Sequence, residues 1–195
     1  MTCLSSLFDL NKTIQVTAYL LKQSENKMNY LRLLKLLYLI NREALKEDAN
    51  LIIYDTACAL RRGPILSTVY DLIKGQPKQM SWKWQQYIKT GKFDVSLVKC
   101  PGDDELSRFE KKIIESVFAA HEENNDFALI DFTHNLPEWK KYEPDLESVR
   151  GRDSYHIKLR DIVNAISEET GKNSVVFSER VKRNVAEMRF FTEQK

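Results

Sequence analysis

NYLRLLKLLYLINREALK, residues 29–46, is the stretch whose reading decides the fold. Asn29 can cap a helix, because its side-chain oxygen accepts a first-turn N–H that has no partner inside the helix. Over Tyr30 to Lys46 the polar residues Arg32, Lys35, Arg42 and Lys46 make only a narrow stripe, and Leu33 through Ile40 is otherwise apolar. A helix with so wide an apolar surface has to be covered on several sides, so it is read as the centre of the core.

Before it, Leu10, Ile14, Ala18 and Leu21 recur at helical spacing and predict a helix over Leu10 to Lys22. After it, Ile52, Ile53 and Tyr54 open an extended stretch from Leu51 to Leu60. Pro64 to Lys74 is expected as a short helix closed by Gly75, since proline's missing N–H has no use in a first turn. Ser81 is expected to cap a helix over Trp82 to Lys89, closed by Gly91. Phe93, Val95 and Leu97 alternate with polar residues and predict a strand that pairs with the 51–60 stretch. Ser107 and Glu110 form a capping box ahead of a helix whose face carries Phe109, Ile113, Val117 and Ala120. Asp126 to Tyr142 reads as a helix interrupted at Pro137, and Ser154 to Thr170 (ended by Gly171) and Ser178 to Phe191 read as two more. The expected fold is mainly α-helical, a helical domain around a central leucine-rich helix with a small β element.

A chain of 195 residues buries about 70 % of its unfolded surface and needs no disulfide or metal to stand up. Residues 1–142 are expected to form one domain, with 143–195 a C-terminal helical extension packed on it and the polar stretch Glu143 to Asp153 the soft boundary. The 30 basic and 28 acidic residues give a net charge of +2, too even for a phosphate-binding face, so nucleic acid is disfavoured as a partner. Cys3, Cys58 and Cys100 are odd in number and far apart, which suits reduced thiols in a cytosol. The longest apolar run, Leu36 to Ile40, is far short of a membrane span, and the start lacks a leader pattern; a cytoplasmic protein without a membrane partner is expected.

The residues offer little to catalysis. The glycines at 63, 75, 91, 102, 151 and 171 each stand alone, so no loop cradles a phosphate. His121, His134 and His156 lack paired metal-ligand spacing. Asp131, His134 and Glu138 do share a helical face and could offer three ligands or a general base, but Pro137 disturbs that face; no metal and no cofactor is expected. Trp82, Trp84 and Tyr87 form an aromatic cluster suited either to a satellite core or to an interface, with core packing favoured for Trp82 and the two balanced for Trp84. On the last helix Arg180, Lys182, Arg183 and Arg189 alternate with Glu179 and Glu187, as on a solvated face.

Four blocks in order, KMNYLRLLKLLYLINREAL, ALRRGPILSTVYDLIKG, LSRFEKKIIESVF and THNLPEWK, resemble the Panacea domain of SocA-like antitoxins, a family that takes in phage-associated proteins of the GepA type. The resemblance spans Val16 to Lys140. The family's Gly-Pro pair matches Gly63 and Pro64, and its Thr-His and Glu-Trp pairs match Thr133, His134, Glu138 and Trp139. Where relatives carry Ala followed by Trp or Met, this chain has Ala59-Leu60, and a position often held by His is Arg62. The resemblance implies a non-enzymatic, mostly helical protein of bacteria or their phages that neutralises a co-encoded toxin by binding it. Some relatives carry an extra N-terminal DNA-binding domain. This chain opens almost directly on the first helix, so that domain and transcriptional self-repression are not expected.

The partner expected is thus a cognate protein toxin, with Arg62, Tyr70, Trp82 and Trp84 as candidate contacts. Gly63, Pro64, Thr133, His134, Pro137, Glu138 and Trp139 are expected to shape the fold: Pro137 breaks the helix, Trp139 anchors the segment onto the leucine-rich helix, and His134 and Glu138 fix the corner by hydrogen bonds. The competing readings are a proteolytic adaptor that delivers the toxin to a protease, a metal-dependent enzyme using Asp131, His134 and Glu138, and a DNA-binding regulator. A homo-oligomer stays open.

Overall fold

A computed structural model describes residues 4–148 and 151–192; Cys3 and the boundary residues Val149 and Arg150 lie outside them. A 3-10 turn (Leu4–Leu7) leads into α1 (Leu10–Lys22), β1 (Lys27–Asn29) and α2 (Tyr30–Asp48). Then come β2 (Ala57–Leu60), β3 (Gly63–Leu66), α3 (Ser67–Ile73), α4 (Lys78–Gln85), β4 (Ile88–Thr90) and β5 (Asp94–Leu97). The remainder is α5 (Arg108–His121), α6 (Asp126–His134), α7 (Pro137–Lys140), α8 (Glu143–Glu147), β6 (Ser154–His156), α9 (Leu159–Thr170) and α10 (Ser174–Thr192). The fold is mainly α-helical with a small β element, as the periodicity predicts.

α2 begins where Asn29 caps it, its side chain accepting from Leu31 N–H at 2.8 Å. Leu33, Leu34, Leu36, Leu37 and Ile40 are all fully buried, with α3, α5, α6, α9 and β3 packed around them. The polar stripe is not a solvent stripe. Lys35 is 1 % exposed and Arg42 is buried too, because a helix enclosed on every side has no outer face left for them. The apolar core is continuous from Ile14 and Leu20 through α2 to Ile166 on α9 and Val181 on α10.

Two three-stranded antiparallel sheets flank this helix, ordered β1-β5-β4 and β3-β2-β6. The expected pairing of residues 93–97 with 51–60 is therefore corrected: β5 lies between β1 and β4, while β2 lies between β3 and β6. Residues 51–56 make no strand, because the side chain of Asn41 takes the place of one. It donates to Ile53 O at 2.6 Å and accepts from Ile52 and Ile53 N–H at 3.2 and 2.8 Å, so that run is stitched to α2.

Pro64 opens no helix. It sits in β3 opposite Ala59, on an edge strand where a missing N–H breaks no ladder. α3 starts at Ser67 instead, and its free first-turn N–H groups at Thr68 and Val69 bond the buried carboxylate of Asp55 at 2.9 and 3.1 Å. Ser81 is interior to α4 rather than its cap, its hydroxyl donating to Pro77 O at 2.6 Å, and residues 88–90 leave the helix to pair with β5. The Ser107–Glu110 capping box is present on both sides, and the buried stripe of α5 runs through Ile113, Ile114 and Val117 while Phe109 and Ala120 stay exposed. Ser154 to His156 pairs with β2, so α9 begins only at Leu159, and α10 begins four residues before the expected Ser178. Among the described residues no helix is long and apolar enough to cross a membrane.

Asn41 and Ser107 allow a direct comparison of two polar anchors. Asn41→Ala strands three buried backbone groups and is expected to lower the unfolding free energy by about 3 kcal/mol. Ser107→Ala removes one cap on an exposed residue and is expected to cost about 1 kcal/mol. Urea denaturation of the two variants checks both the order and the gap.

Candidate functional site

Three of the four sequence blocks meet at one place, the two-residue turn Arg61–Arg62 between β2 and β3, while the third in order, on α5, packs on α1 and α2. Gly63 follows the turn at φ +93°, a conformation that side chains rarely adopt. A Cβ there would stand 2.8 Å from Lys35 Nζ, 2.9 Å from Thr133 Oγ1 and 3.0 Å from His134 Cδ2. Glycine is required twice over, for its dihedral and for its missing side chain.

The hairpin is held from beneath at both of its strands. Lys35 Nζ donates to Pro64 O at 2.9 Å, and Trp139 Nε1 donates to Leu60 O at 3.0 Å. His134 lies flat against Trp139, ring centroids 4.1 Å apart and planes 4° from parallel, with its ring beside the Arg62 backbone. Trp139 thus anchors the proline corner to the hairpin, where the sequence pointed to the leucine-rich helix. α6 ends at His134, and Pro137 starts α7 at its first position, so the break falls at Asn135–Leu136 and turns Glu138 inward. The Glu138 carboxylate accepts from Tyr38 at 3.0 Å and from Arg42 Nε at 2.7 Å, and Arg42 reaches on to Glu169 of α9 at 2.8 Å.

Burial sets the electrostatics. It brings the Lys35 amine down to about 7, and it pushes the Tyr38 hydroxyl well above the ordinary phenol range, with Glu138 adding to the effect. The His134 imidazole is held low by burial and then by Lys35, against the opposing hydrogen bond to the Arg62 backbone. A cavity of about 20 Å³ beside Tyr38, Asn41, Arg42 and Asp55 has room for a single water molecule.

Of the residues singled out in the sequence, Gly63, Pro64, Thr133, His134, Glu138 and Trp139 come together here. Asp131 does not join them: it is exposed, while Glu138 is buried with one carboxylate oxygen bonded to Tyr38 and Arg42. Among the described residues no group of three or more His, Cys, Asp or Glu side chains is placed to hold a metal ion. The candidate contacts divide. Arg62 is exposed at the turn, Tyr70 is half-buried with the Lys74 ammonium 4.0 Å from its ring centroid, and Trp82 is 71 % exposed. Trp82 is therefore a surface residue, not the core residue that its cluster suggested. Trp84 is corrected the other way: it is 0 % exposed and touches no outside molecule, because successive even positions on α4 point to opposite sides of the helix.

Lys35, Tyr38, Arg42, Asn41 and Asp55 were missed as site residues. Lys35, Tyr38 and Arg42 stand at i, i+3 and i+7 on a helix already read as enclosed, and that spacing was the available signal: polar groups there can only point at protein.

Fold and site define a class: a mainly helical domain whose motif residues brace a two-residue hairpin turn. The chain belongs to the SocA-like antitoxin family, whose Panacea-domain model matches residues 33–140, more than half of its length. No curated protein and no solved structure matches it.

The clamp has a pH signature. Folding lowers the Lys35 amine from 10.5 to about 7, so above pH 7 the unfolded chain binds the extra proton and stability rises with pH. Between pH 7 and 9 the gain is expected to be roughly 2 kcal/mol. Lys35→Met should flatten that rise, read as unfolding free energy by denaturant titration at each pH.

Proposed function

We propose that this chain is the antitoxin of a bacterial or prophage toxin–antitoxin pair, acting in the cytoplasm by binding a co-encoded protein toxin directly. The observation that carries the reading is membership of the SocA-like antitoxin family across residues 33–140. The chemistry of the motif supports it: Lys35 and Trp139 bond the hairpin backbone, Glu138 bonds Tyr38 and Arg42, and the His134 ring stacks on Trp139. What such a scaffold offers outward is shape and a few large side chains, which is what a protein inhibitor needs over roughly 800 Å² of surface. Arg62, Tyr70 and Trp82 remain the candidate contacts, and Trp84 supports the ground beneath Trp82.

The test uses the neighbouring reading frame. Its expression alone is expected to arrest growth, co-expression of this chain to restore it, and the two proteins to co-purify. Rescue should persist in a host stripped of its ATP-dependent proteases; rescue that vanishes there marks a proteolytic adaptor, and a neighbour that never slows growth removes the antitoxin reading.

A further inference from the structure

We infer that the Arg61–Arg62 turn and the outward face of α6 form the docking surface for the toxin, and that they take an apolar segment of it rimmed by Asp or Glu carboxylates. This rests on the antitoxin reading and says where on the molecule that reading is carried out. Both arginines are exposed, and among the described residues neither has an ion-pair partner. Three other arginines are spoken for, Arg32 facing Asp126 at 3.8 Å, Arg42 facing Glu138 and Glu169, and Arg180 meeting Asp48 at 2.7 Å; Arg108, Arg152, Arg160 and Arg183 are exposed as well, but only 61 and 62 are adjacent in the chain. Two adjacent guanidinium groups on one turn therefore present unspent charge, which a carboxylate-bearing partner complements with bidentate geometry.

Next to the turn stands a helix with too much apolar surface for its burial. α6 reads DFALIDFTH, yet it buries only Leu129 and Thr133; Phe127 is 79 % exposed, while Phe132, 45 % exposed, meets the His121 ring edge-on at 4.7 Å. The turn and the helix are joined, because Gly63 packs against Thr133 and His134 at the helix end. The surface is also stiff. With Lys35, Trp139 and His134 fixing the hairpin from below, little conformational freedom is lost when a partner lands on it, so its binding energy is not spent on ordering. The occupant is a protein and not a nucleic acid, since the exposed Phe127 ring offers nothing to a phosphate backbone, and the occupant's carboxylates belong at the two arginines and not beside the exposed Asp131, Glu122 and Glu123.

The experiment measures the Kd between the full-length chain and the purified product of the neighbouring reading frame, with growth rescue read in parallel. The arginine-reversed double variant (R61E and R62E together) and Phe127→Asp are each expected to weaken binding at least tenfold and to abolish rescue, with melting temperatures unchanged. Phe190→Ser removes another exposed ring, outside the family-matched region, and is expected to keep Kd within threefold. Wild-type binding that the arginine and Phe127 variants retain within threefold overturns the docking surface and leaves the antitoxin reading standing. Absence of both binding and rescue by the wild type overturns that reading, and the surface with it. Equally tight binding of a short DNA duplex, lost in the arginine variant, overturns the assignment to a protein.

Discussion

A charged or hydroxyl-bearing side chain on a helix that is buried on every side must find its partner within the protein. α2 carries three such groups, Lys35, Tyr38 and Arg42, and leaving one charge unpaired there costs several kcal/mol, against less than about 1 kcal/mol for an ion pair on the surface. That constraint organises the rest. Lys35 requires a carbonyl above it and takes Pro64 O; Tyr38 and Arg42 require a carboxylate and take Glu138. The hairpin and the proline corner are the parts of the chain that satisfy the polar face of its central helix.

The motif residues divide the work accordingly. Pro137 breaks the helix so that Glu138 can point inward, and Trp139, one residue on, reaches the other strand of the hairpin at Leu60. Thr133 is fully buried under Gly63, and His134 fills the space between Gly63 and the Trp139 ring. Nothing in that arrangement needs the side chain at position 62 to be a particular residue. That side chain is exposed and holds nothing in the scaffold, so the position can vary without disturbing it. In an antitoxin the same separation lets a fixed scaffold carry a changing contact surface.

Much of the architecture was legible because it is local. The limits of α1, the Asn29 cap, the Ser107–Glu110 capping box and the break before Pro137 each follow from residues within a few positions of one another. The misread elements share the opposite cause. Residues 51–56 look like a strand but bond the side chain of Asn41, and Pro64 looks like a helix start but lies on the edge of a sheet that β6 completes from 90 residues further along. Pairings over that distance leave no periodicity in the sequence. The site was half legible. Its shape-giving residues stood out as motifs, whereas Lys35 and Arg42 were read only as part of a narrow polar stripe and Tyr38 as part of the apolar surface, and Trp84 could not be told from Trp82 without the phase of α4.

The central claim is that the hairpin is part of the core's cooperative unit although its tip lies on the surface. Native-state hydrogen exchange tests it most directly, comparing the bonded amides of β2 and β3 with those of Leu36 to Ile40 in α2. The account predicts opening free energies for the two groups within about 1 kcal/mol of each other, both at the level of global unfolding. Exchange of the hairpin amides through a separate local opening, several kcal/mol below that of α2, would contradict it.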